Sequence, residues 1–380
     1  MFQAAIVGCD SYNEHQVRQA LTECLDAVGG LDFIKSGTRV AIKANLVTFM
    51  KPDKAATTHP VMLCELVKML VERGAEVIIG DSPGGLYTAA FVNRVYSATG
   101  MNEAVKVGAR LNDDYSQGEA MFNEGKIAKC FAYTAYLDKA DVIINFSKLK
   151  SHGMMGLSAA TKNMFGVIPG TIKPEYHFKY PQQSDFANML VDLNEYFKPQ
   201  LNIVDAVIGM EGNGPTQGKP RKIGAVIASP SPYLADRVCA HIIGMKPDEV
   251  PTIEASIARG LCPENIKDIA LYGDVDQFIV DDFDVIKVSK SLQFYGDSAI
   301  GRLRGKLFEA CLASKPVLKS SQCVGCNECG KICPAKAIEM VKGKAVIDRN
   351  KCIKCFCCQE FCPKGAMEVG RTLIAKLLNK

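Results

Sequence analysis

Long apolar runs are missing from this chain of 380 residues, and none approaches the roughly 18–20 residues that cross a bilayer, so no membrane span is expected. The first ten residues, Met1 to Asp10, carry neither a basic flank nor a long apolar stretch. They read as a first strand rather than a signal peptide. Neither sign of charge is in large excess: 45 Lys and Arg against 41 Asp and Glu leave a net charge of +4. That balance argues against nucleic acid as the main partner. Histidine is scarce, with five in the chain. There is no Walker-type phosphate loop, and no G-x-G-x-x-G follows an expected strand, so NAD or FAD binding is not indicated. Cysteine, in contrast, is plentiful at 16 residues. Without an export signal, that number points away from disulfides and towards a reducing, cytoplasmic compartment.

Hydrophobic residues make up 48% and charged residues 23%, ordinary globular usage that leaves enough apolar material for a real core. Short Val/Ile-rich runs predict strands at Ala4–Gly8, Arg39–Leu46, Glu76–Asp81, Asp141–Phe146, Leu201–Ile208 and Ile223–Ala228. Helical patterns such as Val61–Glu72 and Phe186–Tyr196 lie between them. The alternation predicts an α/β fold, a mainly parallel sheet with flanking helices, over residues 1–300. Between Lys148 and Tyr180 the periodicity breaks into a long Gly-, Lys- and His-containing segment, expected to be irregular and either functional or mobile. Residues 301–320 read as a connector, 321–370 as a small α+β domain, and 371–380 as a tail.

Nine cysteines fall between Cys323 and Cys362, within a clear internal repeat. Cys323, Cys326, Cys329, Cys333 and Pro334 recur at an offset of 29 as Cys352, Cys355, Cys358, Cys362 and Pro363. Each half reads C-x2-C-x2-C-x3-C-P. Three thiolates on a tight loop cap three irons of a cubane, and the fourth reaches across to the other half's cluster. The expected ligand sets are therefore Cys323, Cys326, Cys329 and Cys362 for one 4Fe–4S cluster, and Cys352, Cys355, Cys358 and Cys333 for the other. Zinc ribbons use two separated C-x2-C knuckles, which this doubled run is not. Cys357 is an extra thiol with no ligand role. The seven scattered cysteines read as small buried apolar residues. The repeat resembles bacterial dicluster ferredoxins, which implies one-electron transfer and favours an anaerobe.

Polar residues collect where the large domain's strands are expected to end: Lys43 and Asn45, Asp81, Asn145 and Lys148, Asp205. Open α/β sheets bind ligands at such ends. His59, His152 and His177 fall in loops or helix entries, with Lys162 between the last two. Together they make a candidate acid/base or metal site. Lys43, Lys148, Lys150, Lys162 and Lys173 suit a carboxylate or phosphate, although Lys150 and Lys173 taken singly read as surface lysines. Glu211 and Asn213 enter the same region on a tight turn. His15 and His241 read as structural.

In their order, the segments Lys43–Leu46, Thr58–Pro60, Gly80–Gly84, Lys148–His152, Thr161–Gly166 and Glu211–Pro215 resemble the domain-of-unknown-function family 362, often fused to a dicluster ferredoxin. That resemblance implies an α/β fold and an iron–sulfur carrier, without a settled activity. A more distant similarity, in layout, is to the nickel-pincer lactate racemase family. It implies a pocket of His59, His152, Lys162 and His177. Of two readings of function, the first leads and the second is its alternative. One is a ferredoxin-type electron carrier whose α/β domain binds a redox partner protein or a small anionic ligand. The other is an iron–sulfur oxidoreductase whose clusters feed an anionic substrate or cofactor held by Lys43, Asn45, Asp81, Lys148, Glu211 and Asn213, with His59, His152, Lys162 and His177 moving protons. A racemase or epimerase would leave the clusters without a task, since racemisation needs no net electrons.

Overall fold

The computed structural model describes residues 3–286 and 314–370. Strands β1 (Ala4–Gly8), β2 (Arg39–Lys43), β3 (Glu76–Gly80) and β4 (Arg110–Leu111) come first in the chain. A separate hairpin of β5 (Gln117–Met121) and β6 (Cys130–Thr134) follows. Then come β7 (Val142–His152), β8 (Gly156–Ser158), β9 (Leu201–Asn213), β10 (Gln217–Ser229) and β11 (Leu271–Tyr272). Apart from that hairpin they form one nine-stranded sheet, in the order β11-β1-β10-β9-β7-β2-β3-β4 with β8 beside β7. The run from β9 to β4 is parallel, as is β1 with β11; β10 runs antiparallel to both β9 and β1. The α/β fold class expected from the alternating pattern is the one observed, as a mainly parallel mixed sheet.

Period-two patterning sorts the side chains onto two faces. On β2, Val40 and Ile42 pack with Leu21 of α1 (Glu14–Ala27), Leu66 of α2 (Pro60–Val71) and Val95 of α3 (Ala89–Thr99). Ala41, between them, faces the opposite layer, where Phe186 and Leu190 of helix Gln183–Phe197 pack with Val238 of helix Pro232–Ile242. The helix starts are written in the sequence. Asn13 accepts the backbone N–H groups of His15 and Gln16 at 3.1 and 3.3 Å, and Pro60 supplies the first residue of α2.

The segment expected to be irregular is the main departure. β7 continues through Lys148 to His152, β8 turns back on it, and short helices span Ala160–Asn163 and Lys173–Lys179. Sequence periodicity missed this because β7 is buried along almost its whole length, lysines included, so its polar positions do not alternate with solvent.

The C-terminal unit pairs β12 (Lys315–Leu318) with β15 (Met367–Gly370), and β13 (Ile338–Val341) with β14 (Lys344–Ile347), all antiparallel. β12 falls in the segment expected as a connector; most of that segment, and the tail 371–380, lie outside the described residues. The 29-residue repeat extends to the backbone. Left-handed φ angles occur at Gly325 (77°) and Lys354 (57°), at Asn327 (62°) and Phe356 (61°), and at Lys336 (49°) and Gly365 (62°). Non-glycine residues rarely adopt this region, so their matched use winds both cysteine loops alike.

The two units share a packed seam. Phe356 and Val369 of the C-terminal unit belong to the larger unit's core. Gln359 Nε2 donates to the Asn213 carbonyl at 2.8 Å. Gly153 leaves no room for a side chain: a Cβ there would stand 2.9 Å from Val369 Cγ2 and 3.4 Å from the Phe356 ring. Overpacking of this kind costs roughly 1–3 kcal/mol. Gly153→Val is therefore expected to lower the urea midpoint of unfolding, and an unchanged midpoint would contradict the seam described.

Candidate functional site

A cavity of about 780 Å³ opens at the carboxyl ends of the parallel strands, between the sheet and the cysteine unit. Asn45, Asp81, Lys150, Lys162, Lys173 and His177 line it on the sheet side. Cys357, Glu360, Phe361 and Cys362 close it from the other. Phe49 and Phe91, 4.7 Å apart with Arg94 over the Phe49 ring, form an aromatic edge.

The floor is held by an asparagine network running from the loop after β2 to β7 and β9. Asn163 Oδ1 accepts from Asn45 Nδ2 at 2.9 Å, and Asn163 Nδ2 donates to Asn145 Oδ1 at 2.8 Å. Asn145 Nδ2 donates to Asn202 Oδ1 at 2.9 Å. Lys150 Nζ donates to Asn45 Oδ1 at 2.6 Å and to the Ala56 carbonyl at 2.7 Å. Buried amides that satisfy one another in this way fix a single arrangement. Asp236 anchors the neighbouring helix, accepting from the Ala160 and Thr161 N–H groups at 2.6 and 3.1 Å, and so places Lys162.

Four groups face one another across the seam. His152 Nδ1 accepts the N–H groups of Met154 and Met155 at 3.1 and 3.2 Å. A neutral ring bonded this way carries its proton on Nε2. That atom lies 3.1 Å from Glu360 Oε1, at ion-pair distance but outside hydrogen-bond alignment. Burial brings His152 down to about 4 and His177 to about 3, so both rings are neutral near pH 7. Burial alone would raise the Glu360 carboxyl, but His152, Lys162 and His177 together hold it at about 2. His177 stacks on Phe186 at 4.3 Å, and its Nδ1 is buried without a partner. Lys162 makes no hydrogen bond or ion pair among the described residues; its Nζ stands 5.6 Å from the Phe165 ring. It stands at the cavity wall with no partner for its donors among the described residues; burial lowers its pKa, and Glu360 opposes that shift. Lys173, which donates to the Ser82 and Ile168 carbonyls, is brought down to about 7 by burial, with Asp81 opposing.

Other sequence-chosen residues are placed elsewhere. His59 is not in the cavity wall: it caps α2, accepting from the Val61 N–H at 3.3 Å, and stacks on Tyr12 at 3.5 Å. Lys43 is buried in an ion pair with Asp81 at 2.7 Å. Lys148 is buried against Asp205 at 2.9 Å and the Tyr12 hydroxyl at 2.6 Å. Neither lysine is free to bind an external anion, since each already neutralises a buried carboxylate. Glu211 accepts the Asp284 N–H at 3.2 Å, and Asn213 serves the seam through its carbonyl. Asn45 and Asp81 do reach the cavity.

Lys150 and Lys173, which taken singly read as surface lysines, are in the cavity wall, and Glu360 is a cavity residue that the sequence did not single out. For Glu360 a signal existed. The second cysteine run departs from the first where Cys357-Cys358-Gln359-Glu360 replaces Glu328-Cys329-Gly330-Lys331. The departing positions are those that face the sheet.

Cys323, Cys326, Cys329 and Cys362 line one small cavity. The Cys358 thiol is pushed well up by burial and then by Cys355, Cys352, Cys333 and Cys329, so the second set also converges. Cys333 Sγ and Cys362 Sγ accept the N–H groups of Ala337 and Ala366, both at 3.2 Å. Crowded thiolates supported by amide donors fit iron–sulfur clusters, whose cationic iron relieves the repulsion. Among the described residues, no His/Cys/Asp/Glu group is gathered as a single-ion site, His152 and His177 included.

A family model described as domain of unknown function 362 matches residues 40–241, and a 4Fe-4S dicluster domain model matches residues 315–363. A thylakoid-associated protein of Synechocystis sp. is 30% identical over 262 residues, covering 68% of this chain and 80% of that protein. The lactate racemase apoprotein of Thermoanaerobacterium thermosaccharolyticum aligns with a TM-score of 0.41 at 11% identity, over 64% of this chain and 58% of that one. A Thermotoga maritima protein aligns at 0.36 and 11%, over 62% and 60%. The chain thus spans less than two thirds of either solved structure. No helix among the described residues is long and apolar enough to cross a membrane.

If Lys148 is structural, removing its partner leaves a buried unpaired charge, at a cost of about 3–5 kcal/mol. Asp205→Asn should lose that much in urea unfolding, and adding Lys148→Met should restore part of it. A stable Asp205→Asn protein would return Lys148 to the list of ligand-binding groups.

Proposed function

The chain belongs to the domain-of-unknown-function 362 family and carries a 4Fe-4S dicluster domain, and on that premise we propose that it is an iron–sulfur oxidoreductase that delivers electrons to a small anionic ligand in the seam cavity. The observation that carries this reading is a shared wall. Cys362, assigned to the first cluster, and the unpaired Lys162 line the same cavity. A carrier that only docked another protein would have no need of a cavity of this size behind its clusters. The sixteen cysteines and the clusters suit a reducing compartment such as the cytoplasm.

Cys323, Cys326, Cys329 and Cys362 would hold one cluster, and Cys352, Cys355, Cys358 and Cys333 the other. When bound, the clusters supply electrons one at a time. Lys162 binds the ligand's negative charge, because its ammonium has no competing partner within the protein. His177, neutral at pH 7, presents an uncommitted Nδ1 and can accept or donate a hydrogen bond according to tautomer. Burial lowers the Lys162 pKa, and the Glu360 carboxylate opposes that shift. Lys173, already tied to two carbonyls, has one proton left to direct at the ligand and to give up as electrons arrive. Phe49, Phe91, Phe165 and Phe361 keep the cavity partly apolar, which strengthens these interactions.

Lys173 sets the pH dependence. Its folded pKa of about 7 lies below that of an unfolded lysine, so its contribution to stability is full at high pH and is lost as pH falls through about 7. Anion binding runs the other way, since it uses the charged form. Affinity for an anionic ligand is expected to weaken as pH rises through about 7, and Lys173→Arg should flatten that profile.

The reading is tested on anaerobically reconstituted protein. About eight iron and eight sulfide per chain are expected; zinc without sulfide would end the proposal. Chemically reduced clusters are then mixed with a panel of small carboxylates and phosphate esters, and their reoxidation is followed by absorbance. At least one anion should accelerate reoxidation, and Lys162→Gln should slow it about tenfold or more with cluster content intact. No acceleration by any anion, or an unaffected Lys162→Gln protein, would reduce the role to electron carriage alone.

A further inference from the structure

The two cysteine runs are alike in sequence but not in exposure. Cys326 of the first run is exposed, whereas its counterpart Cys355 is buried, because the second run faces the sheet. Beside Cys326, Val324 is 62% exposed. The β13–β14 hairpin continues this outer surface. Val341 pairs with Lys344 and Glu339 with Val346, so these four side chains share the face turned away from Ile338, Met340 and Ala345. Val341 is 48% and Val346 50% exposed. The hairpin tip lies on the first cysteine loop: a Cβ on Gly325 would meet the Gly343 carbonyl at 2.7 Å, and Lys344 Nζ donates to the Cys323 carbonyl at 2.6 Å.

Charge is concentrated in the same unit. Residues 315–370 carry ten Lys and Arg against five Asp and Glu, a surplus of five that leaves the rest of the chain at −1 within the net +4. Lys342 follows Val341 in the chain and Lys344 pairs with it; Lys344 Nζ donates to the Ser320 and Cys323 carbonyls, and Lys342 makes no ion pair among the described residues. Glu339 is the acidic group on the hairpin's outer face. An apolar patch rimmed by lysines beside an exposed cluster ligand is suited to brief, electrostatically guided contact.

We infer that this surface, Val324, Val341 and Val346 rimmed by Lys342 and Lys344, is where an acidic one-electron carrier protein docks and loads the first cluster through the Cys326 side. The inference rests on the cluster assignment above and adds the entry side to it: electrons enter at the Cys326 face and leave at the Cys362 face, which lines the cavity. One cluster would thus link the two surfaces. The transfer is one electron from the reduced carrier to the oxidised cluster, with no bond made or broken.

The test uses the full cluster-loaded chain and a reduced acidic plant-type 2Fe–2S ferredoxin as donor, with cluster bleaching followed by stopped flow. Lys342→Glu touches no hydrogen bond and should slow bleaching about threefold at low salt; Lys342→Glu with Lys344→Glu should slow it about tenfold. Added salt should slow the wild type and shrink both differences. Bleaching by hydrosulfite should be unchanged in every variant, and Lys35→Glu with Lys267→Glu, at exposed sites outside this unit, should match wild type. The inference is overturned if the cluster-replete double variant accepts carrier electrons within twofold of wild type, or if the control pair slows transfer equally. Failure of the cavity reading shows separately, as absent anion-driven reoxidation after hydrosulfite reduction.

Discussion

One short helix, Cys357–Glu360, docked on the carboxyl ends of the sheet, is the constraint on which the rest of the site depends. Each of its residues faces a different task. Cys357 lines the cavity, Cys358 points to the thiolate cage, Gln359 bonds the β9–β10 turn, and Glu360 meets His152. The helix has only four residues, so moving it for one purpose would disturb all the others. Gly153 and Gly84, which lie under Phe356 and Phe361, permit the approach because neither carries a side chain. The seam is therefore built from the absence of atoms on the sheet side as much as from contacts.

The buried charges behind the seam serve different purposes although they sit close together. Lys43 with Asp81, and Lys148 with Asp205 and Tyr12, are closed systems in which each cation already has its counter-charge. Such pairs add little net stability but are costly to break, so they lock the strand ends in one geometry. Lys150 is likewise spent on the asparagine network. Lys162 differs in making no hydrogen bond or ion pair among the described residues: Glu360, His152 and His177 act on it only at longer range, and its Nζ stands near the Phe165 ring. An ammonium left without a close counter-ion in a cavity attracts an anion from outside, and in the proposed reading this sets Lys162 apart from Lys43, Lys148 and Lys150.

The exposure difference between the cysteine runs makes the two ends of the C-terminal unit unequal. A symmetric dicluster unit has two equivalent ends. Docking buries the second run and leaves the first run's loop in solvent, and the departures from the repeat at Cys357, Gln359 and Glu360 are what fit the second run to the sheet.

The cluster cage was legible in the sequence because its geometry is local. Three thiolates spaced within seven residues must share a loop, and a 29-residue repeat shows that two such loops exist. The alternation of strands and helices was legible for the same reason, since periodicity reports which side of an element is buried. The sorting of the His/Lys residues was not legible. Lys43, Lys148, Lys150 and Lys162 carry the same group on neighbouring segments, and nothing local tells a paired ammonium from a free one. That depends on carboxylates and amides brought in from Asp81, Asp205, Asn45 and Glu360, residues far away in the chain. His59 and His152 likewise differ only in what the fold sets beside them, a tyrosine ring for one and the cysteine unit's glutamate for the other. The cysteine repeat and the periodicity of the chain were enough to set the two cysteine loops and the sheet; which charges remain unpaired depends on the tertiary fold, because a buried ion's role is set by its counter-ion and not by its own identity.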